Sequence, residues 1–396
     1  MTQPAAAATA PRAAALPRTL WPLLYGNFVI GAGVMVVPAT LNDISASLQV
    51  SVATAGQLIT AGGIVMCLGA PLCAAIVAGW DRRRLLAITM LWYALLHAAC
   101  AAAPTLATLL PLRALAVLSP AVFTPQAAAC VGLLVPAQDR GRAIAFVFLG
   151  WSVASVLGMP LGAFVGGVLG WRAAFMVVAV LGVIAAAWVW RTLPDGVRPP
   201  ALSRQAWADT FGSRPLMLCI AVTVLFAAGQ FVLFSYFAPY WQQELGAGSG
   251  ALSLTFMWFG AFGLLGNLLM TRFIDRLGAG RAVLVAVGAM ALSMVLWPLG
   301  TGLLSAALVL VPWALGCFAS NSAQQARLVG IAPGLAAGSV ALNSSAMYAG
   351  QAIGAALGGW LILQSGFGVL HWAGLAGLLA SAFVSLLADR ALRRRR

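Results

Sequence analysis

Apolar stretches long enough to cross a hydrocarbon core about 30 Å thick recur along this entire chain. Read between Arg, Pro and Asp punctuation, they number twelve: about 20–41, 54–79, 85–103, 106–135, 142–166, 171–191, 216–241, 251–272, 281–300, 303–332, 337–362 and 367–388. Of the 396 residues, 62% are hydrophobic and only 8% charged, against roughly 25% charged in a soluble domain. Such a chain can build a core but cannot cover it with a polar surface. It reads as a polytopic membrane protein. Residues 1–17, rich in Ala and Pro, read as a disordered tail without the pattern of a cleaved signal peptide.

Every one of the 22 basic residues is Arg. Arg12 and Arg18 precede the first span, Arg82, Arg83 and Arg84 follow the second, and Arg140 and Arg142 follow the fourth. Arg191, Arg198, Arg204 and Arg214 surround the middle connection, Arg272, Arg276 and Arg281 follow the eighth span, and Arg390 and Arg393–Arg396 end the chain. With twelve spans all of these share one side, and the opposite connections hold only Arg172. The positive-inside bias places both termini in the cytoplasm. The net charge of +14 is therefore topological, with some attraction to anionic lipid heads, and no nucleic-acid partner is expected. The six cysteines fall within spans at no metal-like spacing, so no metal site or disulfide is expected. No cofactor is called for, and no Ser/His/Asp set, metal cluster or phosphate loop points to an enzyme.

The segment GMPLGAFVGG, residues 158–167, carries four glycines and a proline inside an apolar run. Interior glycine costs roughly 1 kcal/mol and proline about 3 kcal/mol in a soluble helix, but in lipid small residues let backbones approach closely. Gly158, Gly162 and Gly166 fall along one face, and Pro160 removes a backbone donor and bends the helix. Either a tight packing seam or a bend used in a conformational change accounts for them. GQAIGAALGG at Gly350 echoes the segment at an offset of 192, and DRLG at Asp275 echoes DRRR at Asp81 at an offset of 194. The two matches imply duplicated six-span halves, with Gly158 and Gly350 in equivalent places. Duplicated halves are an architecture of alternating access, with a site between them at the midplane. The expected division is an N-terminal tail at 1–19, bundles at 20–191 and 216–388, a cytoplasmic linker at 192–215 with a short interfacial helix around Trp207 and Phe211, and a basic tail at 389–396.

These residues resemble the major facilitator superfamily, within its drug-proton antiporter and sugar-efflux branch, which includes arabinose-efflux-type permeases. AGWDRRRLL (78–86) is similar to the superfamily's loop motif after the second span, and DRLGAGR (275–281) to its counterpart in the second half. GWSVASVLGMPLGAFVGGVLGWRAAF (150–175) matches the fifth-span efflux signature, and APGLAAGSVALNSSAMYAGQAIGAALGG (332–359) resembles the corresponding eleventh span. The resemblance implies an all-α membrane fold of twelve helices in two six-helix bundles. It implies a bacterial inner-membrane secondary transporter, expected to be monomeric, that exports a small solute by alternating access, with proton antiport. It also implies a conformational latch, with Asp81, Arg82, Arg140 and Arg142 on one half and Asp275, Arg276 and Arg281 on the other. A solvated charge cluster that merely sets topology accounts for these residues equally well.

By the same resemblance, Arg113 matches an intramembrane Arg of the fourth span, although the residues after it, ALAVLSP, depart from the family's glutamine-glycine pattern. An Arg inside a span costs about 2.5–3.5 kcal/mol on insertion scales and should face the bundle interior. Spans one, four, seven and ten should line the cavity, giving Asn27, Arg113, Gln126, Gln230, Tyr236, Tyr240, Asn321, Gln324 and Gln325. Trp151 in the fifth span and Asn343, Tyr348 and Gln351 in the eleventh add to them. Neutral hydrogen-bonding groups and aromatics suit an uncharged or amphipathic solute. His97 and His371 read as packing residues. All eight acidic residues fall at span ends, in loops or in tails, so proton exchange finds its best carboxylate at Asp43. An importer or uniporter, and a sensor or scaffold that kept the fold, remain alternatives.

Overall fold

The computed structural model describes residues 17–77, 79–136, 139–198 and 204–393. The expected N-terminal tail up to residue 16, residues 199–203 of the linker and Arg394–Arg396 lie outside the described residues. Among the described residues, twelve helices are long and apolar enough to cross a membrane. Spans 1–6 are Arg18–Ala39, Val52–Cys73, Arg82–Ala102, Leu106–Val131, Arg142–Leu169 and Trp171–Thr192. Spans 7–12 are Arg214–Gln243, Ser249–Leu277, Ala279–Leu299, Leu303–Ile331, Gly338–Ser365 and Phe367–Arg393. Twelve is even, so the described chain ends share one face, here called the terminal side; the opposite face is the distal side. The last span continues past residue 388 to Arg393 and carries Asp389 on its final turns.

Several spans bend where proline withholds a hydrogen bond. Span 4 is two helices, Leu106–Ala116 and Leu118–Leu134, because Pro120 cannot donate to the carbonyl four residues before it. In span 5, helices Arg140–Val153 and Met159–Leu169 are joined by a π turn, Ala154–Gly158, ahead of Pro160. The Met159 amide reaches back five residues to the Ala154 carbonyl, a widened turn that accommodates the missing donor. Where a bend is expected at Pro160, the helix carries this π turn just ahead of the proline.

Glycines set how closely the spans approach. A Cβ at Gly158 would stand 2.9 Å from Ala32 Cβ, and one at Gly166 would stand 2.5 Å from Thr40 Cγ2. Gly162 departs from the expected continuous seam: its nearest neighbours, Ala39 Cβ and Val36 Cγ2, would lie 3.9 Å away. It borders a small apolar cleft of about 50 Å³ between spans 1, 5 and 6. The seam is tight at both ends and open in the middle.

The turns that follow bear on the repeat register more than the contacts do. Gly158 abuts Ala32, and this contact recurs both at Gly354 with Ala228, a shift of 196, and at Gly350 with Val224, a shift of 192. Gly170 and Gly366, also 196 apart, both precede the last span of their half with positive φ, 85° and 72°. Gly158 therefore corresponds to Gly354, one helical turn beyond Gly350. Glycines recurring every four residues match themselves after a one-turn slip, so the sequence pattern alone could not separate the two registers. The loop motifs also differ: Asp81 caps span 3, whereas Asp275 sits on the last turn of span 8.

The halves meet along two seams, span 5 on span 8 and span 2 on span 11. A Cβ at Gly260 would lie 2.7 Å from Ser155 O, beside the π turn, and one at Gly63 would lie 2.9 Å from Tyr348 O. Distally, Gly167 abuts Ser249 Cβ across the halves. Short helices Leu41–Leu48 and Phe237–Gln243 cap the distal side. There Asn42 donates to Gln242 Oε1 and accepts from Gln243 Nε2 at 2.9 Å. On the terminal side the two ion pairs among the described residues, Arg83–Asp195 and Arg327–Asp389, each stay within one half. The halves are closed on each other distally.

Candidate solute site and the buried arginine

Each half carries a hydrogen-bonded polar cluster built from its first, fourth and fifth helices. In the first half Thr124 Oγ1 donates to Asn27 Oδ1 at 2.8 Å and receives the Trp151 Nε1–H at 3.3 Å. Asn27 Nδ2 donates to Val147 O at 3.3 Å. In the second half Thr223 Oγ1 donates to Asn343 Oδ1 at 2.6 Å, and Asn343 Nδ2 donates to Asn321 Oδ1 at 2.9 Å. Asn27 and Thr223 lie 196 apart and Thr124 and Asn321 lie 197 apart, close to the repeat, whereas Trp151 and Asn343 lie 192 apart, one turn out of that register. Asn27 and Asn343 are fully buried, while Thr124, Trp151 and Asn321 keep partial exposure. A buried amide without a partner is costly, which is why the inner member of each cluster is held by its neighbours and the outer ones remain available. Gln324 adds a bond from Nε2 to Cys219 O. Gln126, Gln230 and Gln351 are buried, and Gln325 and Tyr348 half-buried, on the same helices.

Two expected members lie elsewhere. The Tyr236 hydroxyl donates to Ala355 O at 2.8 Å and its ring fills the space left by Gly56, Gly358 and Gly359. Tyr240 packs on Trp297 and Phe367, in the distal part of the second half. Both bind the scaffold together and stand apart from the two clusters.

Arg113 is 3% exposed and faces the interior of the first half. Its Nη2 donates to Val34 O on span 1 at 3.2 Å, and its Nη1 meets His97 Nε2 at 3.2 Å. His97, fully buried, bonds through Nδ1 to the Tyr93 carbonyl at 2.8 Å. A carbonyl only accepts, so the proton sits on Nδ1 and Nε2 offers its lone pair to Arg113. The histidine taken for packing is thus the buried partner of the span-4 arginine. The sequence signal was the lack of any carboxylate to pair with Arg113.

The bonds described for the expected latch residues are local ones. Asp81 Oδ1 accepts from the Arg84 amide at 3.1 Å, and its Oδ2 accepts from the Gly196 amide at 2.7 Å. Arg82 is buried and donates to Val77 O at 3.0 Å and Trp80 O at 2.8 Å. Arg140 donates to Val135 O, Arg142 is exposed, and Asp275, Arg276 and Arg281 are exposed on the other half. The sequence reading passed over Arg327, which is 4% exposed. It donates to Asp389 Oδ1 at 2.7 Å, Ser385 Oγ at 2.9 Å and Ser385 O at 3.0 Å, tying span 10 to span 12. At the distal surface a pocket of about 470 Å³ is lined by Asn42, Asp43, Ser45 and Gln243, among others. Partial burial of Asp43 there pushes its carboxyl pKa up.

Comparison with known proteins converges on one family. The family model described as Major Facilitator Superfamily matches residues 23–341. The chloramphenicol resistance protein of Streptomyces lividans is 33% identical over 295 residues, covering 72% of this chain and 72% of its own. The purine ribonucleoside efflux pump NepI of Salmonella paratyphi B is 29% identical over 69% of both chains. The protein named transcription regulatory protein OpdE of Pseudomonas aeruginosa is 29% identical over 92% of this chain and 91% of its own. Among solved structures, a bacterial homologue of the human lysosomal transporter Spinster, in an inward-facing and unoccupied conformation, superposes with a TM-score of 0.77 at 18% identity, covering 96% of this chain and 98% of that one. The chain belongs to the Major Facilitator Superfamily and is a multi-pass secondary transporter of the membrane.

Proposed function

We propose that this transporter exports a small neutral or amphipathic solute across the bacterial inner membrane by alternating access, in exchange for protons. The observation that carries the proposal is the pair of polar clusters, Asn27–Thr124–Trp151 and Thr223–Asn321–Asn343, one on the first, fourth and fifth helices of each half. Their groups are amides, hydroxyls and an indole, which discriminate by hydrogen bonding and stacking and offer a charged solute no counter-ion. Relatives named for chloramphenicol resistance and purine ribonucleoside efflux favour export and suggest the probes. Both termini are cytoplasmic by the arginine bias, so the distally closed halves correspond to a conformer open to the cytoplasm. The protein works as a monomer, embedded in lipid, since each half packs on the other and its outward surfaces carry exposed side chains such as Leu68, Leu161 and Phe383.

Asp43, half-buried at the distal pocket, collects protons at the mouth. The latch residues on the terminal side hold the alternate conformer closed, Asp81 and its neighbours engaging the Asp275 segment once the terminal ends approach. The test is flux of chloramphenicol, inosine and a pentose into and out of liposomes holding the purified protein, with and without a pH gradient. Saturable, gradient-driven outward movement of one of them supports the proposal. Saturable flux that ignores the gradient makes the protein a uniporter, the reading favoured by the lack of carboxylates in the middle of the described spans, with Asp275 and Asp389 standing only on end turns. No flux of any solute favours a regulatory role, as the name of the Pseudomonas relative suggests.

A further inference from the structure

We propose that His97 is the proton-binding group of the transport cycle, held deprotonated in this conformer by Arg113 and able to take a proton when Arg113 leaves it. The inference rests on the proposed exchange of solute for protons and names the group that carries them. Nδ1–H is committed to the Tyr93 carbonyl, and the Nε2 lone pair meets an N–H of Arg113. The Gly33 backbone of span 1 also bonds the ring, so it is the Arg113 contact that keeps Nε2 unprotonated. A proton added at Nε2 would set an imidazolium against a guanidinium at 3.2 Å in an apolar interior, where like charges repel far more than in water.

The charged and titratable groups around His97 supply no offset. Tyr93 and Cys100 lie on its own helix, Arg113 on span 4, and Arg172 of span 6 is bound to the Ala103 carbonyl just past the helix end. Tyr348 of span 11 lies beyond Tyr93. None is a carboxylate. Protonation and the Arg113 contact therefore exclude each other.

Arg113 also bonds Val34 O, so its seat is shared between span 3 and span 1, the helix that carries Asn27 and leads distally to Asn42. A conformer in which span 1 moves draws Arg113 from His97 and exposes the Nε2 lone pair. The proton then bonds to Nε2; when Arg113 returns it reclaims the lone pair and the proton leaves to whichever side is open. With cytoplasmic termini, the conformer described here is the one that releases the proton inward. That is the direction required if solute moves outward.

Linkage gives the test. A conformer that binds a proton better is favoured as pH falls, and one proton changes a two-state ratio by at most about tenfold per pH unit. Spin labels carried by non-natural amino acids at Ala46 and Glu244 report the distance across the distal closure, in the full chain in lipid nanodiscs without solute. Between about pH 8 and about pH 5, the range in which histidine ordinarily changes charge, the long-distance population of the wild type should grow several-fold. In His97→Gln, which keeps an uncharged side chain beside Arg113, it should stay constant. Asp43→Asn should retain the shift, because burial raises the Asp43 pKa in the distally closed conformer, so this carboxyl favours closure rather than opening as pH falls. Nitrogen NMR of the histidine-labelled wild type gives a second reading that needs no altered His97. An imidazolium signal from His97, assigned with His371→Asn, should grow together with the long-distance population. A full pH-driven shift in His97→Gln, or a His97 signal that stays neutral while the shift occurs, overturns the assignment. Wild-type flux that ignores the gradient overturns the exchange reading itself.

Discussion

Replacing Gly158 by alanine should separate two helices that now touch. The added Cβ would stand 2.9 Å from Ala32 Cβ and 3.3 Å from Ala32 Cα. Saturated carbons settle at about 3.5–4.0 Å, so span 1 and span 5 must part by about 1 Å or strain. Neither obstructing atom belongs to a flexible side chain that could swing aside. Overpacking of this kind costs about 1–3 kcal/mol. The same substitution at Gly162 meets its first neighbours at 3.9 Å, ordinary contact. Both variants gain the helix preference of alanine over glycine, up to about 1 kcal/mol, so that gain largely cancels in a comparison between them. The difference isolates the packing cost: Gly158→Ala should be less stable than Gly162→Ala by about 1–3 kcal/mol. Reversible unfolding of the two proteins in mixed micelles, followed by tryptophan fluorescence, measures it. Equal stabilities, or a less stable Gly162 variant, would refute the reasoning and the seam drawn from it.

Gly260→Ala acts between the halves, where its Cβ would lie 2.7 Å from Ser155 O; it should shift the conformer population away from distal closure, read as faster labelling of a distal cysteine. Asp389→Ala leaves Arg327 buried without its carboxylate, a loss of about 3–5 kcal/mol for a fully buried pair. The partial exposure of Asp389 places the expected loss in chemical unfolding near or below the lower end of that range. Asp43 has a raised pKa in the folded protein through burial, so its carboxyl contributes stability below the ordinary carboxylate value of about 3.9 and loses it as pH rises through the raised one. Asp43→Asn should therefore gain stability relative to wild type at neutral pH, and the gain should vanish near about pH 4; the variant should also respond more weakly to a pH gradient while binding solute as before.

Much of the architecture was legible because the bilayer imposes a length and a hydropathy on every element. The arginine distribution, the irregular turn ahead of Pro160 and the duplication all follow from local chemistry, whereas the break of span 4 ahead of Pro120 was found only in the structure. The register of the duplication was not legible: a four-residue glycine repeat is its own near-copy one turn away, and the positive-φ turns at Gly170 and Gly366 are what favour one alignment. Asn27, Trp151, Asn321 and Asn343 stood out as polar residues in apolar helices. Thr124 and Thr223, which join them, did not, because a threonine in a helix ordinarily satisfies its hydroxyl on its own backbone. Arg327 was passed over because it stands near the end of an apolar run, where arginine reads as punctuation. His97 was read as packing because its role is defined by Arg113, sixteen residues away and on another helix. Partners across helices are set by tertiary geometry, which no single-chain periodicity reports.

The central claim is that the two polar clusters hold the transported solute between the halves. The most direct test is equilibrium binding of chloramphenicol and inosine to the purified wild type and to Trp151→Phe and Asn321→Ala, which alter the partly exposed members of the two clusters, with unfolding measured in parallel. The account predicts saturable binding of one probe, weakened about tenfold or more by each substitution, since each removes one hydrogen-bonding group and frees its partners, about 1–3 kcal/mol. Binding that survives both substitutions unchanged, in variants that remain folded, would contradict it.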